Sequence, residues 1–139
     1  MKMMKVVAAA MMTVALAGIS GSSEISGGRM NITIDGVNVP VEWEDNESVK
    51  ALKDYVPVMA ELHSYGGFEQ VGSLGMTLPR NDERITTTSC DIVLYSGNQI
   101  VIFYGSNTWE YTRLGRLKVK SQEELTGLLR KSGVTITIK

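Results

Sequence analysis

The sequence predicts a mainly β domain, a barrel or sandwich whose open ends are covered by two short helices. Short runs in which apolar and polar residues alternate recur along the chain, as in half-buried strands. Asp35-Gly36 separates two of these runs, and only two stretches have helical spacing. With 139 residues and 43% hydrophobic content, the chain is long enough for one domain with its own core.

The first 17 residues have the pattern of a secretory signal. Lys2 and Lys5 precede an apolar run that ends at Ala15-Leu16-Ala17, an A-x-A cleavage pattern. The run is shorter than the roughly 20 residues that a membrane-spanning helix needs. We therefore predict an exported protein, periplasmic or extracellular, that keeps no stable membrane anchor after cleavage. Residues 18–29 are rich in Gly and Ser and predict a linker, so that the folded domain covers residues 30–139.

The first part of the domain contains a predicted hairpin, a helix and a strand. Asp35-Gly36 between alternating residues favours a primed turn, which needs positive φ at both central positions. The string "NESVKALKDYV" predicts a helix with Asn46 as its N-cap, and Pro57 prevents its continuation. Alternation over residues 58–63 then predicts a half-buried strand.

Residues 64–89 show no lasting period and contain several glycines and a proline. They predict a long irregular loop, with at most a short strand over residues 76–78. Loops of this length are usually functional or disordered, and Tyr65 and Phe68 argue against disorder. Function is therefore expected at this loop.

The last part of the domain contains a second predicted hairpin, a strand, a helix and a final strand. Two apolar runs, 92–95 and 100–104, meet at a Ser-Gly-Asn-Gln turn, and their composition predicts strands buried on both faces. Alternation from Trp109 onward predicts a further strand. Ser121 and Glu124 have the spacing of a capping box at the start of the second helix, and residues 134–139 alternate to the end.

Composition argues against several classes of function. The chain has 14 basic and 15 acidic residues and no basic cluster, so we predict no nucleic-acid partner. Its one His, its one Cys and its scattered carboxylates show no ligand spacing, so we predict no metal and no cofactor. Cys90 is a free thiol, half of an intermolecular bridge, or a nucleophile served by His63. Its plainer interpretation is a small residue packed at a strand entrance.

The candidate ligand cleft combines aromatic and basic side chains from the loop and from the strands that follow it. Its candidate residues are Tyr65, Phe68, Arg80, Tyr104, Trp109, Tyr111 and Arg113. In the competing interpretation the aromatic side chains pack in the core with polar tips at the rim, and the arginines are solvated or paired with Asp82 or Glu110.

The strings "YGGFEQVGSLG", "LPRND", "DIVLYSGNQIVIFYG" and "WEYTRLG" together resemble the bacterial cyclophilin-like family over about residues 30–139. The resemblance implies a closed, eight-stranded barrel with two short flanking helices, often in an exported or lipid-anchored protein. The family has no settled activity.

Prolyl isomerase activity depends on residues that this chain does not match. True cyclophilins carry an F-H-R string whose arginine polarises the prolyl amide, followed by an F-x-x-Q-G-G-D stretch. The nearest string here is Phe68-Glu69-Gln70. The leading hypothesis is therefore a module that binds a peptide or small ligand. The alternatives are a structural accessory domain and an isomerase with a rearranged site; Arg80 and Arg113 are candidates for its donor, but no motif assigns either of them.

Overall fold

A computed structural model describes residues 30–139, and the predicted signal and linker lie outside the described residues. The described chain forms ten strands and two helices. In chain order they are β1 (Ile32–Ile34), β2 (Val37–Val39), β3 (Val41–Trp43), α1 (Glu47–Lys53), β4 (Val58–Tyr65), β5 (Glu69–Ser73), β6 (Glu83–Thr86), β7 (Asp91–Tyr95), β8 (Gln99–Phe103), β9 (Thr108–Leu117), α2 (Gln122–Leu129) and β10 (Gly133–Ile138). Neither helix has the length and apolar character needed to cross a membrane.

The strands form one antiparallel sheet that curls into a nearly closed barrel. Nine of them follow the order β2-β1-β10-β4-β5-β8-β7-β9-β3, and β6 pairs with β9 beside this path. The two end strands, β2 and β3, are consecutive in the chain and separated only by Pro40, whose carbonyl accepts from the Lys118 N–H at 2.9 Å. The predicted mainly β barrel with two short helices is thus confirmed.

The strand count differs from the predicted eight. Pro40 has no N–H to donate to a ladder, so it divides one extended segment into β2 and β3. The additional strand β6 lies in the region that was predicted to be irregular.

Both predicted hairpins are present and have primed turns. In the first, Asp35 and Gly36 have φ values of 48° and 85°, and in the second, Ser96 and Gly97 have φ values of 55° and 75°. Positive φ at both central residues is the geometry that matches the twist of the flanking strands.

Both predicted helices are present with their predicted caps. The Asn46 side chain accepts from the Val49 N–H at 2.9 Å at the start of α1. At the start of α2, the Ser121 hydroxyl accepts from the Glu124 N–H at 3.1 Å. The Glu124 carboxylate accepts from the N–H of Lys120 at 2.8 Å, one residue before the cap, so the capping box is shifted by one position.

The prediction of a long irregular loop over residues 64–89 was wrong. This region contains β5 and β6, and residues 76–78 do not form a strand. The strand β5 was not predicted because it begins with two buried polar residues, Glu69 and Gln70, and contains Gly72. A side chain at Gly72 would place its Cβ 2.3 Å from the Glu61 carbonyl oxygen, so the close approach of β4 requires glycine there.

Alternation along the strands separates an interior face from an outer face of the barrel. The interior is filled by aliphatic side chains that are 0% exposed, among them Ile32, Ile100, Ile102 and Ile136. The outer face of β4, in contrast, carries exposed residues such as Met59 and His63.

Strands β7 and β8 are apolar on the outer face as well, as predicted. A second buried cluster lies on this outer face and includes one residue of β9. It consists of Val93, Val101, Phe103 and, from β9, Tyr111. Phe68, Val71, Ile85 and Tyr95 pack against it and are only partly buried. Part of the outer face is therefore an apolar surface that the chain covers incompletely.

Candidate functional site

A groove of about 860 Å³ opens on the outer face above this second cluster, and we call it the aromatic groove. It is lined by side chains from β4, β5, β7, β8 and β9 and from the segments between them. These residues are Tyr65, Gly66, Phe68, Glu69, Val71, Tyr95, Gln99, Val101, Asn107, Trp109 and Tyr111. Most of them lie on paired strands, so the groove is largely preformed.

Five aromatic rings along the groove and beneath it are in contact one after another. Ring centroids lie 6.1 Å apart for Tyr65 and Phe68, and 6.4 Å apart for the nearly parallel pair Phe68 and Phe103. The centroids of Phe103 and Tyr111 lie 5.7 Å apart, and those of Tyr111 and Tyr95, the last ring of the series, lie 6.2 Å apart. These separations are typical of favourable aromatic pairs, so the rings hold one another in place.

Two aromatic side chains at the groove are well exposed. Tyr65 is 65% exposed and Trp109 is 48% exposed, although both are large and apolar. The Arg84 guanidinium lies over the Trp109 ring at 5.8 Å from the centroid and forms an ion pair with Glu110 at 3.2 Å. The apolar rim is therefore open to solvent and has a cation at one end.

The backbone fixes the position of Phe68 in the groove wall. Its carbonyl oxygen accepts from the N–H groups of Tyr104 and Gly105, both at 2.9 Å. A Cβ at Gly66 would lie 2.2 Å from the Phe68 ring, and one at Gly105 would lie 2.8 Å from the Phe68 Cβ. The ring thus occupies space that only glycine leaves free at both positions.

Glu69 lies in the floor of the groove and was not among the candidate site residues predicted from the sequence. It is only 6% exposed and pairs in register with Tyr65 on β4 and with Phe103 on β8. Burial raises the pKa of its carboxyl group from 4.5 to about 7, and no described cation or hydrogen-bond donor offsets this rise. Its oxygens are not completely cut off from solvent, and a carboxyl group with a raised pKa in a cleft is typical of functional sites.

Tyr111 lies near Glu69 and presents a hydroxyl group. Its oxygen accepts from the Asn107 amide at 2.8 Å. Burial raises the pKa of Tyr111; the hydrogen bond from Asn107 opposes this rise, and the charge of the nearby Glu69 carboxylate adds to it. The phenol therefore remains protonated at neutral pH and can donate a hydrogen bond.

The structure divides the predicted cleft residues among three places. Tyr65, Phe68, Trp109 and Tyr111 line the aromatic groove. The two arginines line a separate polar cleft of about 530 Å³ between the start of α1 and β9, and Tyr111 contributes to both cavities. Tyr104 is 7% exposed and its hydroxyl forms a hydrogen bond with Ser64 at 2.7 Å, so it is a packing residue that lines neither cavity.

In the polar cleft, both arginines form ion pairs with carboxylates. Arg80 lies 3.5 Å from Asp82, and Arg113 lies 3.4 Å from the buried carboxylate of Asp91, which also binds Arg116. A prolyl isomerase needs a donor and an apolar pocket at the same place. Because neither arginine lines the aromatic groove, the geometry gives no support to Arg80 or Arg113 as that donor.

Cys90 is the residue directly before β7, and its φ is 82°. Burial raises the pKa of its thiol, Arg116 opposes the rise, and Asp91 adds to it. A raised pKa disfavours the reactive thiolate, and His63 is exposed on the outer face of β4. The arrangement therefore fits the packing interpretation better than a Cys–His nucleophile. Within residues 30–139, no three His, Cys, Asp or Glu side chains come together as a possible metal site.

Comparisons with known proteins agree with the fold. The model of the cyclophilin-like family matches residues 32–139. The solution structure of the hypothetical protein AF2241 from Archaeoglobus fulgidus is similar with a TM-score of 0.57 and 16% identity, over 79% of this chain and 92% of that one. At this identity the likeness shows the fold alone, and no curated protein matches the chain. The chain belongs to the cyclophilin-like family.

Proposed function

We propose that the protein is a binding module that holds a peptide or small molecule in the aromatic groove. The observation that carries the proposal is that two exposed aromatic side chains at the rim, Tyr65 and Trp109, lie beside a floor of buried apolar side chains. Exposed apolar surface of this kind on a rigid sheet is typical of a binding site, because a ligand that covers it removes it from water.

The size of the apolar contribution indicates what else the ligand must contact. Covering the exposed parts of two large aromatic side chains removes roughly 200 Å² from water, which contributes about 5 kcal/mol. Loss of translational and rotational freedom alone opposes binding by about 4 to 15 kcal/mol. Apolar contact therefore needs support from polar groups in the groove, and Glu69, Gln99, Asn107 and the Tyr111 hydroxyl line it.

Binding in the groove can be tested by titrating the full-length, ¹⁵N-labelled chain with short peptides and small organic compounds. The chain contains two tryptophans, Trp43 and Trp109, so the indole N–H signal of Trp43 serves as an internal reference. We expect a groove ligand to shift the Trp109 signal and to leave the Trp43 signal in place.

Two tyrosines provide a matched pair of variants for this titration. Tyr65 at the groove is 65% exposed, and Tyr55, just after α1 and outside the groove, is 50% exposed. We expect Tyr65→Ala to weaken binding at least tenfold, equivalent to about 1.4 kcal/mol, and Tyr55→Ala to have no effect. The proposal fails if no compound shifts Trp109, as expected of a structural accessory domain, or if both variants lose affinity equally.

A further inference from the structure

The groove floor contains an acidic side chain for which the described chain supplies no partner. Glu69 is 6% exposed, and no lysine or arginine is among the described residues that line the groove. Burying a carboxylate without a hydrogen bond or a counter-charge is unfavourable, and buried acids in proteins are usually paired. The Glu69 carboxyl oxygens are not completely cut off from solvent, so a ligand group in the groove could replace the water that they contact.

The rings around this carboxyl group favour one type of partner. The faces of Tyr, Trp and Phe rings carry partial negative charge and attract cations within about 6 Å. The Arg84 guanidinium already lies 5.8 Å from the centroid of the Trp109 ring. An anionic group at the groove floor, in contrast, would meet the Glu69 carboxylate, and the Arg84 cation at the rim is already paired with Glu110. Charge and ring chemistry thus point to the same class of ligand.

Resting on the groove function proposed above, we propose that the ligand group bound at the groove floor is an alkylated ammonium. The Glu69 carboxylate neutralises its charge, and the aromatic rings of the groove surround its carbon substituents. Tyr65 and Trp109 stand at the rim and would exclude water from this pair.

Binding of an ammonium is coupled to release of the Glu69 proton. The free carboxyl group titrates at about pH 7, and the cation binds its ionised form. Affinity should therefore increase with pH below 7, by at most tenfold per pH unit, and level off above 7. Between pH 6 and pH 8 this amounts to about a tenfold gain.

Other groups near Glu69 that carry or change charge must be accounted for. The outer face of β4 places the His63 imidazole in register with Val71, two positions along from the Tyr65 and Glu69 pair. Tyr65, Tyr95 and Tyr111 supply phenols from β4, β7 and β9. On β7, two strands or about 10 Å away, Asp91 is paired with Arg113 and Arg116.

The inference is tested with choline and its uncharged isostere, 3,3-dimethyl-1-butanol, as matched probes in NMR titrations of the full-length chain. We expect choline to shift the Trp109 indole signal and to bind at least tenfold more tightly than the isostere at pH 8. We expect its affinity to fall about tenfold on going to pH 6.

Three variants identify the group responsible. Glu69→Gln should abolish the dependence on pH and reduce the preference for choline to what the aromatic rings supply. His63→Gln should keep both, and so should Glu61→Gln, which removes an exposed carboxylate from the neighbouring strand β4. An unchanged amide spectrum outside the groove would show that each variant is folded.

The possible results separate this inference from the proposed function. The ammonium inference is overturned if choline binds no more tightly than its isostere, or if it shifts the signals of distant residues and not that of Trp109. If a compound of the earlier panel still binds in the groove in that case, the binding function stands. If no compound of either set binds there, both proposals fail.

Discussion

Glu69 and Gln70 are neighbours on β5 whose side chains lie on opposite faces of the barrel. Gln70 is 0% exposed, and its amide nitrogen donates to the carbonyls of Leu129 and Lys131 at the end of α2, both at 2.8 Å. Glu69 is buried almost as completely, but its carboxyl group has no described partner. The interior amide connects two elements of the fold, whereas the outer carboxyl group forms no hydrogen bond or ion pair with another described residue.

The same contrast applies to the apolar side chains of the two faces. In the interior, rows of isoleucines and leucines are completely buried, as expected where packing provides stability. On the outer face, the cluster around Phe103 and Tyr111 leaves a groove whose rims are solvent-exposed. Substitutions on the two faces should therefore change the free energy of unfolding by different amounts and in different directions.

The largest loss of stability is expected inside the barrel. Ile102→Ala would leave a cavity at a position that is 0% exposed and should lower the free energy of unfolding by about 2 to 5 kcal/mol. Urea denaturation of the full-length chain measures this loss. Val37→Ala, at a position that is 49% exposed, is the control and should change it by less than about 0.5 kcal/mol. A loss below about 1 kcal/mol for Ile102→Ala would contradict a tightly packed interior.

Replacing Glu69 in the groove floor with Gln is expected to stabilise the protein at alkaline pH. The pKa of Glu69 is raised from 4.5 to about 7 by folding, so the contribution of its neutral form is complete below pH 4.5 and is lost as the pH rises through 7. Glu69→Gln does not ionise and should escape this loss. Its advantage over the parent chain should therefore grow between pH 5 and pH 9, by about 2 to 3 kcal/mol.

Urea denaturation at both pH values measures this advantage. Glu61→Gln removes an exposed carboxylate from the adjacent strand and should show no comparable change between pH 5 and pH 9. An equal effect of Glu69→Gln at the two pH values would mean that the Glu69 carboxyl group is not buried without a partner.

The smallest effect is expected for the neighbouring glutamine. Gln70→Met keeps the length of the side chain but leaves the carbonyls of Leu129 and Lys131 without their donor, which should lower stability by about 1 to 2 kcal/mol. The loss is limited because the buried Gln70 Oε1 has no partner among the described residues, so its removal is favourable.

Hydrogen exchange can locate this effect in α2. Amides near the end of α2 should exchange faster in Gln70→Met, whereas Gln99→Met in the groove should leave them unchanged. Unchanged protection of α2 in Gln70→Met would show that the two hydrogen bonds do not anchor the helix.

Much of the fold could be predicted from local signals. The primed turn at Asp35-Gly36 and the caps Asn46 and Ser121 were found where the sequence placed them, because a turn or a cap depends on a few adjacent residues. The strand β6 was missed because it lies beside the main path of the sheet, with only Ile85 partly buried. Export remains a prediction, because it rests on residues outside the described part of the chain.

The site could be predicted only in part. Tyr65, Phe68, Trp109 and Tyr111 do meet in one groove, but local patterns could not show that the arginines lie in another cavity. Glu69 was missed because its burial arises from pairing with Tyr65 and with Phe103, which lies 34 positions further along the chain. An acidic residue directly after Phe68 was the one available signal, and it is also common in exposed turns.

The glycines around Phe68 have a consequence for how ligand preference could change. Gly66 and Gly105 leave the space that the ring occupies, and two main-chain N–H groups hold its carbonyl. The width of the groove is thus set by the backbone, whereas charge and apolar contact come from replaceable side chains such as Glu69, Tyr65 and Trp109. Under the proposed binding function, exchanging a few of these side chains would therefore change the chemistry of the ligand while the backbone keeps the girth of the groove.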